Sequence, residues 1–79
     1  MSFPKLSISF DSENNFFKLS NNNFKINTVE VYNITGQLVH SKYVNGMSTN
    51  INVSNLDKGI YILEIYSDKT SIRRKLIVE

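Results

Sequence analysis

The chain has 79 residues, no cysteine and a formal net charge of +2, and 41% of its residues are hydrophobic. These values exclude a disulfide framework and a thiolate metal site or nucleophile, and they favour a single small domain over residues 1–79. The basic residues are scattered apart from Arg73-Arg74-Lys75, which argues against nucleic-acid binding, and no apolar run reaches the roughly 18 residues of a membrane span.

Apolar and polar residues alternate with a period of two along most of the chain, which predicts strands and no helix. Residues 1–9 are interpreted as either a linker or the beginning of the first strand. Strands are predicted around residues 6–10, 16–20, 24–32, 37–44, 51–53, 61–65 and 72–78. Side chains expected to face the core are Phe17, Leu19, Val29, Val31, Tyr61, Leu63, Ile65, Ile72, Leu76 and Val78.

Short polar segments containing glycine or asparagine separate these strands. Residues 33–36 are predicted to form a hairpin turn in which Gly36 takes a positive φ, and Asn45-Gly46 is interpreted as a two-residue type I′ hairpin turn. Seven short strands with closely spaced turns predict an all-β fold, specifically an immunoglobulin-like β-sandwich of antiparallel strands. Arg74 has the parity of a core residue, so we expect its side chain to extend to a sheet edge.

Leu56, Gly59 and Tyr61 form a pattern typical of a corner between the two sheets of a sandwich. Glycine permits a backbone bend that side chains with a Cβ disfavour. A tyrosine at this position often turns its hydroxyl back onto the backbone of the preceding loop. We therefore expect these residues to maintain the shape of the domain.

The sequence offers two candidate sites for catalysis or metal binding, and the patterns that support them are weak. His40 is the only histidine, and its place in an alternating segment favours a solvent-facing strand residue over a catalytic base. Asp11, Glu13 and Asn15 alternate and could offer oxygens to Ca²⁺, but three ligands are fewer than the six to eight that Ca²⁺ prefers. A polar turn is the favoured interpretation, and a weakly bound ion stays open.

Arg73-Arg74-Lys75 is the one basic cluster. On a strand, Arg73 and Lys75 lie on the same face, where they could meet an acidic patch or a lipopolysaccharide phosphate. The alternative is that these charges protect an edge strand from aggregation. The two roles are compatible.

Three segments, at residues 29–39, 51–61 and 75–78, occur in the order and approximate spacing of one protein family. Over residues 10–79 the chain resembles a type A C-terminal sorting domain of the bacterial type IX (Por) secretion system. One departure is at the beginning, where Phe10 is followed by Asp11-Ser12-Glu13 instead of Pro-Asn-Pro, and the only proline is Pro4.

The resemblance implies a secretion signal without catalytic activity or cofactor. It would direct an upstream cargo through the outer-membrane translocon of a Gram-negative bacterium, by way of the periplasm, to the cell surface or the medium, where a sortase removes the tail. The family's turn and corner positions fall on Gly36, Gly59 and Tyr61. Its terminal strand falls on Lys75 to Val78. Together with the basic cluster, this leads us to expect translocon contacts at Arg73, Lys75, Leu76, Ile77 and Val78.

Two other functions are considered. An extracellular carbohydrate-binding or adhesive module would use exposed aromatic side chains, for which Tyr32, Tyr43 and Tyr66 are candidates if they share one outer face. A fibronectin-like spacer would give the last residues no special importance.

Overall fold

Seven antiparallel strands form two sheets in the computed structural model, which describes residues 6–79. The strands are β1 (Leu6–Asp11), β2 (Phe16–Asn21), β3 (Ile26–Asn33), β4 (Leu38–Gly46), β5 (Ser48–Asn52), β6 (Gly59–Ser67) and β7 (Ser71–Val78). One sheet has the order β1-β2-β5 and the other the order β4-β3-β6-β7. The prediction of an all-β sandwich is confirmed.

The three hairpins β1–β2, β3–β4 and β6–β7 stay within one sheet, whereas the other three connections pass from one sheet to the other. This arrangement leaves β1 and β5 at the edges of the first sheet and β4 and β7 at the edges of the second. β1 begins at Leu6, so residues 6–9 lie in a strand. Pro4 lies outside the described residues.

The core lies between the inner faces of the two sheets, as the alternation of apolar residues predicts. Its buried members are Phe17, Leu19, Ile26, Val29, Val31, Ile51, Val53, Tyr61, Leu63, Ile65, Leu76 and Val78. Ile72, predicted to face inward, is only half-buried but packs against this core. The other nine positions named above are buried. On the apolar side of β1, Leu6 and Ile8 are half-buried against the core, whereas Phe10 is 43% exposed.

The β3–β4 hairpin turn is confirmed. The Asn33 side-chain oxygen accepts hydrogen bonds from the backbone N–H groups of Thr35 (3.1 Å) and Gln37 (3.0 Å). The N–H of Gly36 donates to the Asn33 carbonyl at 3.0 Å, and Gly36 has a φ of 90°. A residue with a Cβ is strained in this conformation, so glycine is suited to the turn.

The prediction of a hairpin at Asn45-Gly46 is wrong. Both residues belong to β4, and the next strand, β5, lies in the other sheet. Asn45 does have a positive φ of 53°, but Gly46 is not among the residues with positive φ, as a type I′ turn requires. The bend instead passes the chain between sheets, where the Met47 carbonyl accepts a 3.1 Å hydrogen bond from the N–H of Asn21.

Candidate functional site

The corner between β5 and β6 is held by a tyrosine. The Tyr61 hydroxyl donates a 2.7 Å hydrogen bond to the carbonyl of Asp57, and the ring is 7% exposed. Gly59 has a φ of 154°, and the N–H of Leu56 closes the preceding turn on the Val53 carbonyl at 3.0 Å. Since this is the hydrogen bond expected of a tyrosine corner, these residues position β6 and, through it, β7.

β7 alternates between core and surface. Leu76 and Val78 are 3% and 7% exposed and belong to the core, whereas Ile77 is 53% exposed. Arg73 and Lys75 are also exposed. Of the five residues expected to contact the translocon, Arg73, Lys75 and Ile77 can therefore present side chains to a partner, while Leu76 and Val78 support the fold.

Arg74 reaches the sheet edge, as predicted. It pairs with Leu63 in the register of β6 and β7, which is a core position, yet it is exposed. Its guanidinium donates a 2.9 Å hydrogen bond to the Arg73 carbonyl. The side chain thus leaves the core face and covers part of the backbone of the edge strand.

Two acidic residues on the outer face of the four-stranded sheet were not identified from the sequence as functional candidates. Glu64, 9% exposed, accepts hydrogen bonds from Arg73 at 3.0 and 3.3 Å, and this pairing raises the pKa of the Arg73 guanidinium. Glu30 accepts a 2.7 Å hydrogen bond from the Tyr32 hydroxyl, which raises the pKa of Tyr32 to about 12. A hydrogen bond to Glu30 likewise raises the pKa of Tyr66.

A single sequence signal could have pointed to this arrangement. Glu64 interrupts the apolar run of β6 at an outward-facing position and lies directly opposite Arg73 in the register of β6 and β7. An acidic residue in such a run indicates a cationic partner on a neighbouring strand. The identity of that partner depends on the register.

An apolar patch adjoins this charged row on the same face. Ile60 pairs with Ile77, and Tyr32 pairs with both Ile62 and Leu38. Ile60, Ile77 and Leu38 are 46%, 53% and 51% exposed. We call these five residues the outer apolar patch.

The outer face of the three-stranded sheet is different in character. Its register places mainly serine, asparagine and lysine side chains outward, including Ser7, Ser9, Lys18, Asn50 and Asn52. Grouped apolar side chains on a surface mark an interaction site more often than scattered ones. The outer face of the four-stranded sheet, with β7 at its edge, is therefore the candidate recognition surface.

The three tyrosines considered for carbohydrate binding share this outer face. Thr28 pairs with Tyr43 on one side and Tyr66 on the other, and Tyr32 lies on the same side of the sheet. Tyr43 is 74% exposed, whereas Tyr32 and Tyr66 are half-buried and share the Glu30 carboxylate.

The weaker candidate sites have structural explanations. The Asp11 carboxylate accepts hydrogen bonds from the N–H groups of Glu13 (3.0 Å) and Asn14 (3.1 Å) and from the Asn14 side chain, and these bonds lower its pKa. It thus closes the β1–β2 turn.

His40 is half-buried opposite Val31, with its Nε2 buried and unpaired, so the expectation that it faces solvent is wrong.

Two other kinds of feature are absent from residues 6–79. That segment contains no cluster of three or more histidine, cysteine, aspartate or glutamate side chains able to hold a metal ion. It also has no helix with the length and hydrophobicity needed to cross a bilayer.

The sequence profile of the family described as "secretion system C-terminal sorting domain" matches residues 5–79. No curated protein matches the chain. The family is defined by sorting signals and not by enzymes. The match covers both sheets, the tyrosine corner and the terminal strand, and so the chain belongs to the family of type IX (Por) secretion system C-terminal sorting domains.

Proposed function

We propose that this domain is the sorting signal that directs an upstream cargo through the outer-membrane translocon of the type IX system. We also propose that the translocon recognises the outer face of the domain along β7. The observation that carries the proposal is the family match over residues 5–79. It is supported by the exposure of Arg73, Lys75 and Ile77 on a strand whose alternate side chains anchor it in the core. The cargo would cross the periplasm of a Gram-negative bacterium and reach the cell surface or the medium.

A folded tag has a physical advantage over a flexible one. One translocon must recognise many cargoes, and an unfolded tail would lose conformational entropy at every docking event. The sandwich presents the same side chains whatever precedes it. After export, a cell-surface sortase of the cysteine-peptidase type would remove the domain, which in that step is a substrate.

A reporter fusion tests the proposal. A signal peptide, a fluorescent protein and residues 1–79 are joined in that order and expressed in a bacterium with this secretion system. We expect fluorescence at the cell surface or in the medium. Retention in the periplasm with the domain folded would contradict the sorting function.

The role of β7 needs point variants, because deleting residues 75–79 would also remove Leu76 and Val78 from the core. Lys75→Glu combined with Ile77→Asp changes two exposed side chains and should reduce export while the domain stays folded. Lys18→Glu, on the outer face of the other sheet, is the matched control and should export normally. Normal export of the β7 variant would exclude these side chains as contacts.

A carbohydrate-binding function is the second candidate, favoured by the common face of Tyr32, Tyr43 and Tyr66. It ranks second because two of the three hydroxyls already interact with Glu30. Binding of the isolated domain to a glycan array, abolished by Tyr43→Ala, would support it.

A further inference from the structure

β7 has a free backbone edge. It pairs with β6 on one side, and within residues 6–79 no strand pairs with its other side. The Arg73 carbonyl accepts a hydrogen bond from the Arg74 side chain, so it points away from β6. Because the N–H and C=O of one residue point the same way in an antiparallel ladder, and alternate residues share that direction, Lys75 and Ile77 also face the free edge.

The charge of this edge argues against pairing with a second copy. An antiparallel β7–β7 pair centred on Arg74 would place Arg74 against itself and Arg73 against Lys75 of the other copy. Like charges directly opposite each other destabilise a strand pair, whereas opposite charges stabilise it. The edge therefore favours a strand that carries carboxylates.

The face of β7 also varies along its length. On the outer face, the exposed cations are Arg73, which is paired with Glu64, and Lys75. They are followed by Ile77, which joins the outer apolar patch. An added strand would place its outward side chains beside these three. Its outward side chains would be acidic beside Arg73 and Lys75, and a sequence of alternating valine and glutamate is the simplest one that places a carboxylate at every second position.

We propose that the free edge of β7 accepts an extended acidic segment of another protein as an added strand, and that Arg74 covers the edge until its guanidinium moves to a carboxylate of that segment. The inference rests on the proposed function, because the segment would belong to the machinery that reads the tag. The edge strand β4 carries one lysine instead of three successive cations, and this Lys42 donates a 2.9 Å hydrogen bond to the Asn50 carbonyl.

Peptide binding to the full 79-residue chain tests this inference by NMR-detected amide exchange. The probe is a short peptide of alternating valine and glutamate. Its controls are the same peptide with lysine for glutamate, and the glutamate peptide N-methylated at alternate residues. We expect the acidic peptide to slow exchange of the Arg73, Lys75 and Ile77 amides by about tenfold or more at saturation. Neither the lysine peptide nor the methylated peptide that lacks the donors facing β7 should do so.

Two outcomes would overturn strand addition. In one, the methylated peptide that lacks the N–H donors facing β7 binds as tightly as the unmodified peptide. This would show that attraction between side-chain charges is sufficient for binding. The other is protection at β4 instead of β7. A methylated series covering both sets of alternate residues ensures that one member lacks the required donors.

Variants of one edge residue provide a second measurement. Ile77→Pro removes an N–H at the free edge, whereas Ile77→Ala removes most of the same side chain and keeps that N–H. We expect the proline variant to lose peptide binding and the alanine variant to retain most of it. If the proline variant does not fold, the methylated peptides on the unchanged chain decide the question.

The export assay separates this inference from the proposed function. Export of the reporter without binding of the acidic peptide would overturn strand addition and leave the sorting function standing. Binding of the peptide with the reporter retained in the periplasm would overturn the sorting function and support edge docking.

Discussion

Tyr61 shows how a single side chain holds the two sheets in position. Its ring is buried, and its hydroxyl satisfies the Asp57 carbonyl at 2.7 Å. Tyr61→Phe keeps the ring and leaves that carbonyl without its donor, which should cost about 1–2 kcal/mol of unfolding free energy. The change is measured as a lower urea midpoint at unchanged slope.

Tyr43→Phe is the matched control, since Tyr43 is 74% exposed. Its stability should stay within about 0.5 kcal/mol of that of the unchanged chain. If both variants unfolded at the same urea concentration, the corner hydrogen bond would have no net stabilising role.

Features formed by residues close in sequence could be predicted, whereas contacts between strands could not. The corner depends on residues 56–61, all close in sequence, so it was visible as a local pattern. The Glu64–Arg73 ion pair depends on the register of two strands, which alternation alone does not specify. His40 was misassigned because the alternation of β4 gave no indication that it packs opposite the buried Val31.

At the scale of elements, β7 buries some side chains in the core and exposes others, because successive residues of a strand point to opposite faces of the sheet. Leu76→Ala removes a core side chain and should cost about 2–4 kcal/mol. Ile77→Ala, its neighbour on the opposite face, should change stability by less than about 0.5 kcal/mol. Chemical denaturation of the two variants measures the difference, and equal losses would contradict the assignment of faces.

A hydrogen bond between two residues of β3 should make stability depend on alkaline pH. The bond that the Tyr32 hydroxyl donates to Glu30 raises the pKa of Tyr32 from 10.0 to about 12, so folding favours the protonated phenol. This contribution is present in full below pH 10.0 and is lost as the pH rises through about 12.

Tyr32→Phe removes this titrating group and is the comparison needed. We expect the urea midpoint of the unchanged chain to fall relative to that of the variant as the pH rises through that range. A difference that stays constant with pH would show that the phenol has the same pKa in the folded and unfolded states.

At the scale of the whole molecule, alternation specified the number of strands and most of the core, but not how the strands divide between sheets. Asn45 has the positive φ that the sequence suggested, yet the chain there changes sheets instead of forming a hairpin. The sheet to which the next strand belongs is decided by long-range packing of Ile51 and Val53. A dipeptide carries no such information.

The positive charges on the free edge of β7 should influence the oligomeric state of the molecule. Arg74 and Lys75 place two positive charges on a free strand edge, where self-pairing would bring cations together. We therefore expect the isolated domain to be monomeric, and Arg74→Thr combined with Lys75→Thr to form dimers or larger assemblies as the concentration rises. Threonine favours strands, so the variant removes charge without weakening β7.

Light scattering coupled to size exclusion measures this expectation. The control is Lys18→Thr, which removes a lysine from the central strand β2 and exposes no unpaired edge. It should stay monomeric under the same conditions. A monomeric double variant would mean that edge geometry keeps the copies apart, whereas self-association that disappears in the double variant would mean that the cations promote pairing.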